Sequence, residues 1–146
     1  MLHDPARHEA FSDAPWDEGL ARQAIRRIVD DLEHHRLPNG GWPLHPLDDE
    51  GDHPPGGFKG LYLGSAGVLW ALDLLQRQGL VQLRRDPVAA MATVHAAYTA
   101  DPDGGTVVPS YHLGEAGILL LTWQMTGSAA AADRLHVVAA SNLGHP

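Results

Sequence analysis

The chain has 146 residues, 44% of them apolar and 19% charged, the balance of a globular protein of about one domain. Its 18 acidic and 10 basic residues leave a formal net charge of −8, which argues against a nucleic-acid partner, because phosphate backbones require a basic face. It has no cysteine, which excludes disulfides, thiolate metal sites and a cysteine nucleophile. It also lacks a signal-type apolar core and an apolar run long enough to span a membrane, so the expectation is a cytoplasmic protein without membrane contact.

Residues 1–16 read as a polar arm. A first helix is predicted over 17–36. Asp17 and Glu18 suit the positive end of its dipole. Leu20, Ala24, Ile25, Ile28, Val29 and Leu32 recur at helical spacing, with arginines and carboxylates on the other faces. Pro38 and the turn Asn39-Gly40-Gly41 end it. Residues 37–60 form a long Pro/Gly loop, and loops of that length inside a domain are often functional. It carries His45, Asp48, Asp49, Glu50, Asp52 and His53. Their spacing matches neither an i, i+4 ligand pair on a helix nor a calcium loop, so they read as a solvated acidic loop and not as a metal site.

Two units follow, at 61–100 and 110–146. Each opens with the pattern L-G-x-A-G-[V/I]-L, first at Leu63–Leu69 and again fifty residues later at Leu113–Leu119. An apolar run follows each copy, and each run holds a tryptophan, Trp70 or Trp123. The length and the Leu, Ala and Met content predict helices, apolar nearly all round and therefore buried on most faces. Two glycines three apart at each helix start let backbones approach closely. The first motif helix is predicted from about Gly64 to Gln78, with Gly79 as its C-cap, and the second to about Thr126. Asp86 as N-cap and Pro87 in the first turn open a more polar helix to about Ala100. His95 on it reads as a packed or surface histidine, not a ligand. Asp101-Pro102-Asp103-Gly104-Gly105 is a turn, and Thr106–Pro109 a short extended piece. Ser128 caps a last helix to about Ala140. A fixed repeat with motif helices inside and polar helices outside predicts an all-α helical array.

The segments Leu61-Tyr62-Leu63-Gly64-Ser65-Ala66-Gly67-Val68 and Ser110-Tyr111-His112-Leu113-Gly114-Glu115-Ala116-Gly117-Ile118 resemble the repeat signatures of lanthionine synthetase C-like proteins. Trp42-Pro43-Leu44-His45-Pro46-Leu47-Asp48 and the helix before Asp101 resemble the N-terminal part of stand-alone bacterial members, so the resemblance covers roughly residues 20–146. It implies an α/α toroid of seven inner and seven outer helices, of which this chain would hold about two to two and a half hairpin repeats. It implies cyclases that add peptide cysteines to dehydroamino acids around a zinc held by two cysteines and a histidine. A chain without cysteine holds no such zinc, and at roughly 50 residues per unit a seven-unit ring needs about 350 residues. The resemblance therefore implies an N-terminal fragment, inactive alone, with no catalytic, cofactor-binding or metal residue assigned. Zinc belongs to the full-length members, a peptide is the substrate, and the open edge of the ring is a place for association.

Two other readings fit the repeat. A six-hairpin glycosidase-like toroid would need a carboxylate pair at its centre; Glu115 is a candidate, but Ser65 stands in the equivalent place. A non-catalytic helical-repeat module that binds a peptide or protein needs no such residues.

Overall fold

The computed structural model describes residues 13–44 and 56–142. They form five α-helices and, among the described residues, no strand: α1 (Glu18–His34), α2 (Ser65–Arg77), α3 (Pro87–Ala100), α4 (Glu115–Thr126) and α5 (Ala129–Asn142). The all-helical expectation holds. α1 stops two residues short of its predicted end, and Thr106–Pro109 takes no regular extended structure.

Three helix starts follow from local chemistry. The Asp17 carboxylate accepts the Leu20 N–H at 2.9 Å, and Asp86 accepts the Val88 N–H at 2.8 Å with Pro87 in the first turn. The Ser128 hydroxyl accepts the Ala131 N–H at 3.3 Å. Glycines close the motif helices. Gly79 takes φ +68° while the Leu80 N–H reaches back to the Leu75 carbonyl at 3.0 Å, and Gly127 takes φ +70° after α4.

α2 and α4 start differently. Neither has a side-chain cap. The preceding loop folds back instead and offers a carbonyl: Ser65 N–H donates to Phe58 O at 2.9 Å, and Glu115 N–H donates to Val108 O at 2.9 Å. The two bonds stand fifty residues apart, like the motifs. This return brings backbone against backbone and explains the second glycine of each motif. A Cβ on Gly67 would run into the Leu61 carbonyl oxygen, and one on Gly117 into the Tyr111 carbonyl oxygen. Gly117 also faces the other unit, since its Cβ would stand 3.2 Å from the Leu61 Cβ.

α3 packs against both α2 and α4, α5 packs on α4, and α2 meets α4 along a narrower seam. The main core gathers Val29, Trp42, Leu69, Leu72, Met91, Val94, Tyr98 and Ile118, with a smaller cluster of Leu119, Ala131 and Val138 under α5. α1 reaches the core through Val29 and through Trp42, whose indole N–H donates to the Leu32 carbonyl at 2.8 Å while Arg36 stacks over its ring at 5.0 Å. Burial lowers the pKa of that guanidinium, Arg85 lowers it further, and Glu33 opposes them.

The motif helices are less enclosed than their composition implies. Trp70 is 40% exposed and Trp123 46%. A helix apolar on all sides is enclosed only if neighbours stand on all sides, and here each motif helix keeps an open face. The tryptophans are also not equivalent. In the fifty-residue register Trp70 corresponds to Leu120, and Trp123 to Asp73, which is only 5% exposed.

Candidate functional site

The N-terminal ends of α2 and α4 lie together, and the loop tips before them carry Tyr62, Leu63, Tyr111, His112 and Leu113, all exposed. The tips are tied by one backbone bond, Tyr62 N–H to His112 O at 2.9 Å. The His112 ring stands edge-on to Tyr111 at 4.9 Å and to Tyr62 at 6.4 Å. Beside them runs an apolar groove of about 290 Å³ lined by Phe58, Leu63, Val108 and Leu113, with Thr106 and Asp103 at its side. Phe58 and Val108 are equivalent in the two units, as are Leu63 and Leu113, so both units contribute alike to the groove.

Two ionic clusters hold this end in place. The Asp103 carboxylate accepts the Lys59 N–H at 2.8 Å and the Gly60 N–H at 2.9 Å. The buried Lys59 ammonium donates to Asp101 at 2.8 Å and lies 3.6 Å from Asp103. The turn after α3 thus clamps the loop before α2. Buried charges are stable only when paired in this way. The second cluster joins three helices. The buried Glu115 carboxylate at the start of α4 takes two hydrogen bonds from Arg134 on α5, at 2.8 and 2.9 Å, and one contact of 2.9 Å with Nε2 of His95 on α3. The Arg134 hydrogen bonds hold the Glu115 pKa below the ordinary carboxylate range, with a further contribution from His95 and against the upward push of burial. The same bonds raise the Arg134 pKa.

These clusters decide the roles of residues flagged in the sequence. Glu115 is a structural anion held ionised by Arg134, which is the opposite of a carboxyl kept protonated to act as an acid. His95 is partly buried and spent on Glu115. Ser65, the counterpart of Glu115, donates its hydroxyl to Phe58 O at 3.2 Å. The acidic loop residues His45, Asp48, Asp49, Glu50, Asp52 and His53 lie outside the described residues. Among the described residues no three histidine or carboxylate side chains converge as a metal-ligand set, and no helix is long and apolar enough to cross a membrane. The accessible surface at this end is aromatic and aliphatic. It is suited to holding an apolar or aromatic group, and Asp103, the one acidic side chain among the described residues that line the groove, is already bonded to Lys59 and Gly60. In the sequence Asp103 reads as a turn residue, and no local signal pairs Glu115 with Arg134. Nothing local marks bonds that span 44 and 19 residues.

Comparison of the chain with protein-family models, with curated proteins and with solved structures finds no match.

Proposed function

We propose that this chain is the N-terminal part of a cytoplasmic lanthionine synthetase C-like protein, a partial α/α toroid whose thioether-forming centre lies elsewhere in the ring. The observation that carries the reading is the repeated L-G-x-A-G-[V/I]-L motif, each copy opening an inner helix through the same loop-to-helix hydrogen bond. The zinc of such cyclases does not fit this chain, which has no cysteine to hold it. The contribution proposed here is therefore architectural, with the exposed Tyr62, Tyr111 and His112 available to a peptide substrate.

The coding frame beyond residue 146 tests the reading. Further glycine-motif units ending in a Cys…Cys-His pattern support it, whereas carboxylate-rich repeat ends favour the sugar-processing toroid. The complete polypeptide with zinc should convert a peptide bearing dehydroalanine and free cysteine into a thioether, with loss of thiol and no change in mass. The 146-residue chain should leave the thiol intact. A second reading, a non-catalytic peptide-binding module, is favoured by the same aromatic tips, which need no reactive group to hold a ligand. Peptide binding by this chain alone, abolished by Tyr62→Ala with Tyr111→Ala, would favour that module.

A further inference from the structure

The turn that follows α1, the residues just before α2 and one flank of α3 bound a cavity of about 60 Å³. Arg36, Asn39, Lys59 and Ser65 form its polar wall, and Thr93 stands on the α3 side. A single water needs about 15 Å³, so the space takes about four waters or one small polyatomic anion. Every described lining residue falls between Arg36 and Ala97. The cavity therefore belongs to the contact of α1, α2 and α3, not to the exposed sides of the motif helices.

The hydrogen bonds around it leave donors without partners. The Ser65 hydroxyl donates to Phe58 O and the Thr93 hydroxyl to Ala90 O. The first-turn amides of Ser65 and Ala66 donate to the Phe58 and Lys59 carbonyls. Asn39 Oδ1 accepts the Gly41 N–H, while its amide nitrogen places one hydrogen on Gly56 O and keeps the other. Arg36 donates its Nε–H to Gly40 O at 3.0 Å, and among the described residues its terminal N–H groups have no acceptor. One terminal nitrogen lies 3.7 Å from where a Cβ on Gly40 would sit, beside the cavity wall. Among the described residues no carboxylate lines the cavity.

The placement of the surrounding charges decides its sign. Asp101 and Asp103 stand against Lys59 and neutralise it: Asp101 takes the ammonium at 2.8 Å, and Asp103 also takes the Lys59 and Gly60 amides. Arg36 has no such carboxylate. Burial lowers its pKa first and the charge of Arg85 next, with Glu33 acting the other way. A guanidinium drawn partly out of water beside a second cation is short of a counter-charge. Its planar fork, held over the Trp42 ring, has the shape that pairs with two oxygens of one anion.

We propose that this cavity binds a small oxyanion, a carboxylate or a phosphate, on the Arg36 fork with Lys59 and Asn39 as further donors. The site goes beyond the lanthionine synthetase reading and rests on no part of it. A bound anion would tie the end of α1 to the start of α2.

The test titrates the isotope-labelled chain at neutral pH and constant ionic strength with sodium phosphate and, separately, with sodium acetate. The readout is the Trp42 indole N–H resonance, whose ring lies under Arg36. A saturable shift is expected with at least one anion, and the tighter of the two identifies the source of the oxyanion. Arg36→Gln should weaken binding by at least about tenfold, the worth of a charged hydrogen bond. Arg36→Lys keeps the charge but loses the fork, and should weaken it less. Thr93→Leu fills the cavity without touching a charge and should abolish binding; it carries the test if the Arg36 variants fail to fold. No saturable shift with either anion, an equal shift with sodium chloride, or unchanged binding in Thr93→Leu would each overturn the proposal. So would binding about tenfold tighter once Asp48, Asp49, Glu50 and Asp52 are all changed to their amides, because the chain's own carboxylates would then be the occupant.

Discussion

Glu115 shows how one side chain can couple three helices. Its folded-state pKa is lowered, chiefly by the Arg134 hydrogen bonds, so the unfolded chain takes up this proton at a higher pH than the folded one. The stabilisation is therefore complete above the ordinary carboxylate range and is lost as pH falls through the lowered folded value. Glu115→Gln is expected to lower the urea midpoint at neutral pH, with the gap from wild type closing in acid; a gap independent of pH would refute the assignment. The motif glycines make a second prediction. Gly67→Ala and Gly117→Ala each push a methyl into a carbonyl of the returning loop, at a cost on the order of 1–3 kcal/mol. Gly117→Ala should cost more, because Leu61 crowds the same site. Gly104, whose Cβ would meet nothing within 4 Å, is the control, and its change to Ala should stay within about 0.5 kcal/mol in the same denaturant melts.

Among the elements, α1, α3 and α5 were readable because their signals are local. An Asp or Ser sits at each start, and Pro87 follows the cap of α3. Asp86→Ala is expected to cost about 1 kcal/mol in a thermal or urea melt, the usual worth of an N-cap. The existence and length of α2 and α4 were also readable, because a largely apolar run of that length, broken only by Asp73 in one and by Thr122 and Gln124 in the other, suits a helix when it is rich in Leu and Ala. Which of their faces would be covered was not readable. The polar side of α2 misdirects, because its Ser65 and Asp73 are buried while the apolar Trp70 and Leu74 are exposed, so the pattern does not rank Trp70 as exposed and Leu69 as buried. The two tryptophans are a looser match than the glycine motif: Trp70 and Trp123 stand three positions apart in register, so they are not equivalent residues of the two units, although both are exposed. The Lys59 clamp and the Glu115 cluster were invisible because each depends on how distant segments meet.

At the scale of the whole molecule, far-ultraviolet circular dichroism should be dominated by helix, with minima near the usual helical positions and no appreciable sheet component; a sheet-dominated spectrum would contradict the five-helix fold. The loop carbonyls that open α2 and α4 have a further consequence, in the timing of local opening. Each acceptor lies seven residues upstream of its donor, on a loop that is itself wedged against the helix by a glycine. Loop and helix then cannot open separately, and each motif should behave as one cooperative opening unit. The starts of α1 and α3 differ, because an exposed Asp side chain can swing away without moving any backbone. In native-state hydrogen–deuterium exchange the Ser65 and Glu115 amides should be lost at the same slow rate as the middle of their helices, while the Leu20 and Val88 amides exchange early. Helix starts built from backbone and helix starts built from side chains would thus fray on separate clocks within one small fold.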